Sequence, residues 1–483
     1  MLLNGKLVIG EVGEFYVVNP ATEQDISTPV PHASSAQVNS AVAGAKLAFV
    51  PWSNLSLEQR KVFLKSAKNV LAQHVEEIAQ ILSTEQGKPI LQAESEVSSA
   101  LSFFDDADKV CVPTEKISQT KTHSLEIHHR PIGVVAAIVP WNYPVHIAVM
   151  KLVSALVFGN TVVLKPSPNT PLSTLKIGEL LRDVFPAGVL NILTGPDTRD
   201  GQSVGDFLSE HPNVALVSFT GSILTGKGIV EKSAKSLKRM ILELGGNDPA
   251  IVLPDADIDS AAAGVLEGGL INCGQICCGI KRVFVHAKIY DEFVDKISKL
   301  ATDKEAQVGP GTVPHVTIGP LNNRAQFDKI CNLVADAAAH GCRISAGGKR
   351  CGTSGYFYAP TIVANIAEGV RLVDEEQFGP VLPILKYQTV EEAIVRANNT
   401  HYGLGASVWG TDPLAVNSVA HQLQAGIVWT NEHAGDIPGL PFGGMKESGI
   451  GREGPSFDLH TYTEAQSMKL MRELGPLHAP TRE

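Results

Sequence analysis

The sequence contains no uninterrupted run of eighteen or more apolar residues, so no membrane-spanning helix is expected. Lys and Arg form no basic runs and the net charge is −10, so nucleic acid is not an expected partner. The start, Met1 to Lys6, lacks the basic region and apolar run of a signal peptide. The chain ends in none of the usual retention or peroxisomal signals, so the cytoplasm is the default location.

Cysteines are few and show no pairing pattern. There are seven, and this odd, scattered set indicates a reducing compartment rather than a disulfide framework. Cys273 and Cys277 are spaced tolerably for zinc, but no second Cys or His pair follows within the usual reach. We therefore expect no metal site.

The chain has 483 residues, 44% hydrophobic and 19% charged, which is typical of a soluble globular enzyme with two or three domains. In the first half, apolar strand-like runs alternate with helical segments, at 133–139, 161–165, 189–193, 214–219 and 240–244. Buried runs that alternate with helices predict a parallel sheet covered on both faces.

The second half repeats this alternation and predicts another α/β domain. Strands are expected at 250–253, 282–286, 383–387, 406–409 and 426–430. Helices are expected at about 257–272, 289–303, 324–339, 390–398 and 412–423. Before both halves, one long amphipathic helix is predicted from Leu57 to Thr84, ending at a Gly-Lys-Pro stop signal.

The segment 115–131 has a different pattern. Leu125 and Ile127 alternate with polar neighbours, which predicts a half-exposed strand. Such a ribbon can add to a partner's sheet, although an ordinary surface hairpin fits equally well. The tail from about residue 461 predicts one more strand, pairing with 123–130. We expect ribbon and tail to form an intermolecular sheet in a homodimer or homotetramer.

The stretch from Asn272 to Gly279 holds two adjacent thiols, Cys277 and Cys278, behind a flexible Gly-Gln turn. A helix pattern precedes it and a strand follows, a position from which a side chain can face a cleft. This favours Cys277 as a catalytic nucleophile. The alternative is that both are buried cysteines acting as small hydrophobes, which is the commoner fate of a free cysteine.

Polar residues stand at the ends of several first-half strands: Asn142, Lys165, Ser222 and Glu243. Ligands of such sheets bind beyond the carboxyl ends of the strands. The segment 221–226 opens a helix whose N-terminus could hold a pyrophosphate, and Lys165 could donate to ribose hydroxyls or a phosphate. A helix cap at Ser222 and a solvated surface lysine explain the same residues as well.

Seven short motifs together carry a family resemblance. They occur in the order Pro140-Trp-Asn-Tyr-Pro144, Lys165-Pro166, Phe219-Thr-Gly-Ser-x-x-x-Gly226, Glu243-Leu-Gly-Gly246, Gly274-Gln-Ile-Cys277, Glu376-Gln-Phe-Gly-Pro380 and Pro441-Phe-Gly-Gly444. In this order and spacing, the chain resembles the aldehyde dehydrogenase superfamily over about residues 10–470.

The resemblance implies an α/β fold with a Rossmann-like parallel-sheet cofactor domain, a second α/β catalytic domain and a small β ribbon for oligomerisation. The expected boundaries are 1–114 with 132–245 for the NAD(P)-binding domain, 246–458 for the catalytic domain, and 115–131 with 459–483 for the oligomerisation ribbon and tail.

The resemblance also assigns catalytic roles. Cys277 would attack the aldehyde carbonyl, and the Asn142 amide with the Cys277 backbone N–H would form the oxyanion hole. Glu243 would activate the water that hydrolyses the thioester. Lys151 and Glu453 match positions that relay the proton outward.

For the cofactor, Glu376 would bind the ribose and Phe378 would wall the nicotinamide; a solvated loop acid and a core aromatic are the alternatives. The other expected cofactor residues are Trp141, Lys165, Ser167, Gly221, Ser222, Gly226 and Leu244. Family members strict for NAD commonly carry a Glu where this chain has Pro168. Its absence removes a carboxylate that would repel a 2′-phosphate, so NAD use with some NADP use is expected.

Three functions fit this sequence. The first is a hydrolytic NAD(P)-dependent aldehyde dehydrogenase. The second, an acyl-transferring relative that uses coenzyme A, is disfavoured by Glu243, because a base that activates water wastes the thioester. The third, a non-enzymatic binding or structural use of the fold, is disfavoured by the intact set Asn142, Glu243 and Cys277.

The substrate is a small-molecule aldehyde, and position alone suggests which residues line its tunnel. The candidates are Tyr143, His146, Met150, Ile271, Ile276, Phe442 and, at the mouth, His433. Ordinary packing explains each of them singly. Together, apolar walls with imidazoles and no Arg favour a medium aliphatic or aromatic aldehyde.

Overall fold

The structure, a computed structural model, describes residues 1–198, 203–435, 437, 439–455 and 457–472. Its helices are α1 Ser35–Ser53, α2 Leu57–Ala72, α3 Val75–Gln86, α4 Ile90–Lys109, α5 Pro144–Val157, α6 Leu172–Leu181, α7 Val204–Glu210, α8 Ile223–Ser233, α9 Ile258–Leu270, α10 Tyr290–Lys304, α11 Arg324–Ala339, α12 Arg371–Asp374, α13 Val390–Asn398, α14 Pro413–Ala420 and α15 Asp458–Tyr462.

The strands are β1 Leu2–Leu3, β2 Lys6–Leu7, β3 Gly13–Phe15, β4 Val18–Asn19, β5 Gln24–Asp25, β6 Val30–His32, β7 Glu115–Gln119, β8 His123–Pro131, β9 Val134–Ile138, β10 Thr161–Lys165, β11 Leu190–Ile192, β12 Val214–Thr220, β13 Arg239–Glu243, β14 Asp248–Val252, β15 Ile280–His286, β16 Arg343–Ala346, β17 Thr361–Ala364, β18 Val381–Tyr387, β19 Gly405–Trp409, β20 Ile427–Thr430, β21 Gly449–Ile450 and β22 Thr463–Met471. Short 3-10 turns lie at Ala234–Ser236, Ile271–Gly274, Glu305–Gln307 and Lys446–Ser448.

The first sheet has the order β2-β1-β11-β10-β9-β12-β13-β21. Its centre, from β11 to β13, is parallel, as the apolar runs predict. Alternate residues of β9 enter different cores: Val135 and Ala137 lie in one, Val134 and Ala136 in the other. The sheet is therefore covered on both faces.

The second sheet has the order β16-β17-β18-β15-β14-β19-β20 and is parallel except at β16. It is buried in a second core, separate from those of the first sheet. Strands β16 and β17 were not predicted, because each is only four residues long and the two flank a Gly-rich loop. The α/β fold of two sheets is confirmed.

The ribbon and the tail pair with each other inside one chain. Strand β22 runs antiparallel to β8, from Thr463 opposite Pro131 to Met471 opposite His123, and β7 pairs with the other side of β8. The expected pairing of the tail with 123–130 is confirmed, but this pairing is not the intermolecular contact. A partner's strand could extend this three-stranded sheet only at the outer edge of β22 or β7.

One predicted helix was wrong. The segment from Leu57 to Thr84 is two helices, because α2 ends at Ala72 and α3 begins at Val75. His74 leaves the helical conformation, with φ −123° and ψ 19°, and its N–H bonds to the Leu71 carbonyl to close the turn. The sequence also predicts a helix at about 201–209. Its first two residues, and the tail beyond residue 472, lie outside the described residues.

No helix in the described part of the chain is both long enough and apolar enough to cross a membrane.

Candidate active site

A tight turn between α9 and β15 positions Cys277. After α9 ends at Leu270, Asn272 and Cys273 adopt left-handed φ values of 49° and 59°. At Gly274, with φ +73°, a Cβ would lie 2.2 Å from the Gly379 carbonyl oxygen, so only glycine fits. The turn therefore packs closely against the loop that contains Glu376 and Gly379.

Two amide side chains hold this turn. Asn272 Nδ2 donates to the Asn142 carbonyl at 3.0 Å, which ties the thiol segment to the loop after β9. Gln275 Nε2 donates to the Asn272 and Pro320 carbonyls, and Gln275 Oε1 accepts from the Asn322 N–H. Both side chains are buried, so the thiol has a fixed base.

The Cys277 thiol is half-buried, and its surroundings shift its pKa in opposite directions. A hydrogen bond with Cys278 and then burial raise the pKa of the Cys277 thiol well above its usual value. The Glu243 hydrogen bond and the positive charge of Lys281 act in the opposite direction on this pKa. The resting thiol is therefore protonated at neutral pH.

Glu243 ends β13 beside that thiol and is only 4% exposed. Burial, followed by the charge and hydrogen bond of Cys277, raises the pKa of the Glu243 carboxyl well above its ordinary value. Within the described residues, Glu243 Oε1 has no hydrogen-bond partner. A buried carboxyl with a free oxygen next to a thiol is suited to take a proton from water.

Asn142 follows β9 and is buried. Its carbonyl accepts hydrogen bonds from Lys88 Nζ at 2.9 Å and from Asn272 Nδ2 at 3.0 Å. Among the residues that the structure describes, none accepts a hydrogen bond from its side-chain amide. The backbone is therefore fixed while the amide keeps a donor for a developing oxyanion.

Behind Glu243 lies a buried ion pair. Lys151 Nζ donates to Glu453 Oε1 at 2.7 Å and to Ser218 Oγ at 2.8 Å. Ser218 Oγ in turn donates to Glu453 Oε1 at 3.0 Å. The negative charge of Glu453 raises the pKa of Glu243 and the positive charge of Lys151 lowers it, so the three side chains share one polar interior.

The carboxyl ends of the first sheet form a continuous polar edge. Lys165 ends β10, is 4% exposed, and donates from Nζ to Asp197 Oδ1 at 3.2 Å. Ser167 Oγ accepts from the Asn169 N–H, and Ser222 Oγ caps α8 by accepting from the Thr225 N–H.

Glycines allow α8 to approach this edge closely. A Cβ at Gly226 would lie 2.8 Å from the Leu244 side chain, and one at Gly221 would lie 2.4 Å from the Phe219 ring. The N-terminus of α8 therefore opens directly onto the strand ends, where its N–H groups favour an anion.

Glu376 and Phe378 reach the same edge from the second domain. Glu376 Oε1 accepts from the Gly246 N–H at 3.1 Å, and a Cβ at Gly245 would lie 2.4 Å from Glu376 Oε2. The Phe378 ring packs edge-on to Trp141 at 5.4 Å. An anion site at one end and a carboxylate with an aromatic wall at the other fit a pyrophosphate-linked dinucleotide.

Apolar residues from three segments surround the thiols. Cys278 packs with Leu404, Ile427 and Trp429, and the residues partly buried against this group are Ile276, Cys277, Ala434, Ile437 and Phe442. Of these, Ile276 and Phe442 are expected from the sequence, whereas Ala434, Ile437 and Trp429 were missed. Tyr143 also lies near the two thiols. Burial, and after it the charges of Glu96, Cys278 and Cys277, raise the pKa of its hydroxyl well above the ordinary value.

The other expected pocket residues lie differently. His146 packs edge-on to Phe103 at 4.9 Å, with Ser99 Oγ 3.3 Å from its Nδ1, so these contacts are with α4. Met150 lines a cleft between α4 and α5. Ile271 is half-buried at the start of the thiol turn.

His433 does not lie at a mouth, contrary to the expectation. Its side chain is 0% exposed, and its Nε2 lies 2.8 Å from the Cys278 carbonyl oxygen, to which it donates. The ring also lies against Trp429 at 4.9 Å. It supports the thiol segment from behind, a contact that its place in a Gly-rich loop did not reveal.

Comparison with known proteins agrees with this geometry. The sequence model of the aldehyde dehydrogenase family matches residues 9–468. An aldehyde dehydrogenase of Davidiella tassiana is 37% identical, over 97% of this chain and 95% of that protein. The chain belongs to the aldehyde dehydrogenase family.

Two further relatives add detail to this family membership. The succinate-semialdehyde dehydrogenase (NADP+) GabD of Escherichia coli K12 is 35% identical, over 97% of this chain and 96% of that protein. The NAD+ complex structure of an aldehyde dehydrogenase from Bacillus cereus has a TM-score of 0.93 at 36% identity, covering 98% of this chain and 96% of that chain. The resemblance inferred from the motifs is thereby confirmed, and this aldehyde dehydrogenase is an oxidoreductase.

Several supporting residues of this aldehyde dehydrogenase were missed from the sequence. Lys88 was interpreted only as part of a helix stop, yet its buried ammonium pairs with Glu96 and holds the Asn142 carbonyl. Glu96 Oε1 also accepts the N–H groups of Val145 and His146 at the start of α5. Adjacent Gly87-Lys88-Pro89 gave a turn signal but no sign of this distant contact.

Proposed function

We propose that this protein oxidises an aldehyde to the carboxylic acid with NAD(P)+ through a covalent adduct on Cys277, which water activated by Glu243 hydrolyses. The observation that carries this proposal is that the Cys277 thiol and the buried Glu243 carboxyl lie close enough to shift each other's pKa, beside a polar edge that fits a dinucleotide. Nucleophile and base thus stand together at the expected cofactor site.

The first step is attack of the Cys277 sulfur on the aldehyde carbon. A C–S bond forms, the carbonyl oxygen becomes an alkoxide, and the thiol proton of the resting enzyme passes to solvent, so that Glu243 is left to act as a base in the later step. The Asn142 side-chain amide and the Cys277 backbone N–H donate to that oxygen. Lys88 and Asn272 keep Asn142 in place by their hydrogen bonds to its carbonyl.

The adduct then collapses to a thioester as the carbon loses a hydride. Bound NAD(P)+ would supply the acceptor for that hydride. Glu376 would hold the ribose next to the nicotinamide, with Phe378 and Trp141 as the aromatic wall. Lys165, Ser167 and the N-terminus of α8 would hold the adenosine and pyrophosphate half.

Hydrolysis of the thioester needs a base. Glu243 takes a proton from water, the water oxygen attacks the thioester carbon, and the C–S bond breaks to release the acid and the Cys277 thiolate, which attacks the next aldehyde without losing a further proton. The proton then leaves toward the Lys151–Glu453 pair. The overall balance is aldehyde, water and NAD(P)+ to acid, NAD(P)H and one proton.

The substrate that fits best is a medium aliphatic or aromatic aldehyde. The residues around the thiols are apolar, and burial disfavours an unpaired charge among them. One relative is named a succinate-semialdehyde dehydrogenase, so an acidic semialdehyde is the natural competitor to test.

The test follows reduced nicotinamide at its absorbance band while aldehydes of different size and charge are added. Wild type should oxidise them, Cys277→Ala should be inactive with cofactor binding retained, and Cys278→Ala should keep most activity. Coenzyme A should give no increase in rate and no acyl-coenzyme A product. Full activity of Cys277→Ala would overturn the mechanism, and a strong preference for succinate semialdehyde would overturn the substrate class.

A further inference from the structure

Lys281, near the start of β15, turns its side chain back under the nucleophile turn. The side chain is only 2% exposed. Its Nζ donates to three backbone carbonyls: Ile276 at 2.8 Å, Cys277 at 2.7 Å and Gly279 at 3.2 Å. All three N–H groups of the ammonium therefore donate hydrogen bonds to the turn that carries the thiol.

This arrangement has two physical consequences. Three carbonyls converge on one ammonium, so the backbone from Ile276 to Gly279 has little freedom, and the direction of the Cys277 N–H is fixed with it. A positive charge also lies close to the thiol in a poorly solvated place, where charge interactions are strong. A thiolate gains from such a charge, whereas a neutral thiol does not.

The same ammonium reaches the loop expected to hold the cofactor. Glu376 Oε1 lies 3.9 Å from Lys281 Nζ, and the Phe378 ring centroid lies 5.9 Å from it. Lys281 thus stands between the thiol turn and that loop. Lys329, which donates to the Glu376 carbonyl, adds a second positive charge on the far side.

Other ionisable groups face the thiol as well. Cys278 is the next residue in the chain, the Glu243 carboxyl comes from β13, and the Tyr143 hydroxyl comes from the segment before α5. Each of these three groups is neutral when protonated and negative when ionised, so none of them can supply a positive charge. Lys281 is the cation that the described contacts place directly against the turn.

We propose that Lys281 is a positioning residue that fixes the nucleophile turn and stabilises the thiolate form of Cys277. This role rests on the proposed function, because it needs Cys277 to react as a thiolate. A neighbour that offered hydrogen bonds without charge would hold the turn but would not favour the thiolate. Charge and hydrogen bonding can therefore be separated by substitution.

The test measures alkylation of Cys277 by iodoacetamide as a function of pH, without cofactor or aldehyde. The thiolate displaces iodide, so an S–C bond forms and a C–I bond breaks, and the rate tracks the thiolate fraction. A Cys278→Ala background leaves one thiol in the pair, and peptide mass spectrometry assigns the site. Lys281→Gln keeps a donor without charge, and Lys281→Met removes both.

We expect Lys281→Gln and Lys281→Met to slow alkylation about tenfold near neutral pH, with the midpoint about one pH unit higher and the plateau at high pH retained. Lys281→Arg should restore the midpoint where the longer side chain is accommodated. Lys238→Met is the matched control, because Lys238 is also a buried lysine that donates to a carbonyl, that of His211, at a distance from the thiol turn.

A midpoint in Lys281→Gln equal to that of the background protein would overturn the proposal. Folding is checked by circular dichroism, and Lys281→Gln keeps the test available if Lys281→Met does not fold. The readout needs no aldehyde oxidation, so failure of this proposal is distinct from failure of the proposed function, which nicotinamide reduction and the inactive Cys277→Ala variant test.

Discussion

Lys151 and Glu453 form an ion pair of 2.7 Å in the protein interior, with side chains 0% and 3% exposed. A buried pair costs desolvation, so its presence next to Glu243 calls for more than stability. Ser218 bridges the two, and its hydroxyl lies 3.5 Å from the Tyr462 hydroxyl. Asp458, whose burial raises its pKa to about 7, is bonded instead by Ser154 Oγ and the Gly454 N–H.

The first prediction concerns this relay. Glu453→Gln keeps an acceptor for Lys151 but removes the proton-carrying carboxyl, so the hydrolysis step should slow by about tenfold while the first burst of reduced cofactor is kept. Rapid-mixing kinetics separate the two phases. Ser154→Ala, which loses a hydrogen bond to Asp458 outside the pair, serves as a control. An unchanged steady-state rate in Glu453→Gln would exclude the relay.

The second prediction concerns pH. The Glu243 pKa is raised by burial, and a base works only when ionised, so turnover should fall as pH drops through that raised pKa. The Cys277 pKa is raised too, and its thiolate fraction also grows with pH. We expect the steady-state rate to keep climbing with pH above the range in which an ordinary glutamate has already ionised. A profile that is already flat near pH 6 would contradict the buried, protonated resting pair.

The third prediction concerns cofactor preference. The acid expected at residue 168 in strict NAD users is absent, but Asp197 approaches Lys165 at 3.2 Å. A 2′-phosphate would compete with Asp197 for the same ammonium. Wild type should bind NAD and, more weakly, NADP. Pro168→Glu should weaken NADP binding more than NAD binding, and Asp197→Asn should strengthen NADP binding.

Both dinucleotides can be titrated by protein fluorescence without turnover. Asp183→Asn is the control, since Asp183 is an exposed carboxylate that pairs with Arg182 on the surface. Strict dependence on NAD in the wild type would contradict the prediction, because it would show that another group excludes the 2′-phosphate in place of the missing acid. Weaker NADP binding in Asp197→Asn would show that Asp197 supports the phosphate rather than competing with it.

The fourth prediction concerns assembly. Strand β7 is an outer edge of the three-stranded ribbon, and Ile117 on it is 62% exposed. An exposed apolar edge favours pairing with another chain, so we expect a homodimer or homotetramer. Ile117→Glu should lower the mass measured by light scattering. Leu237→Glu, at an exposed turn elsewhere, should not. A monomeric wild type would contradict this prediction.

Much of the fold could be predicted because its signals are local. Apolar runs located the central strands of both sheets, and the bounds of β10, Thr161–Lys165, are those expected. The break at His74 could not be predicted, because the apolar stripe continues across it and only the backbone shows the change. Short strands such as β16 carry too few residues for a periodic signal.

The site divides in the same way. Cys277, Glu243 and Asn142 lie in motifs at strand and helix ends, and the structure brings them together. Their supports come from far along the chain, as with Lys88 under Asn142 and His433 behind Cys278. Each of these contacts forms only when segments far apart in the chain pack together within one domain, so nothing in the local sequence announces them.

The most direct test of the mechanism is rapid mixing of Glu243→Gln with aldehyde and cofactor, followed by intact-protein mass measurement. Acylation does not need water activation, so we predict a burst of reduced cofactor near one equivalent, then a stall, with an acyl group on Cys277. Wild type should show no such accumulation after turnover. If burst and steady-state rates fell together and no acyl-enzyme were found, Glu243 would act before hydride transfer, and its role as the base for thioester hydrolysis would be contradicted.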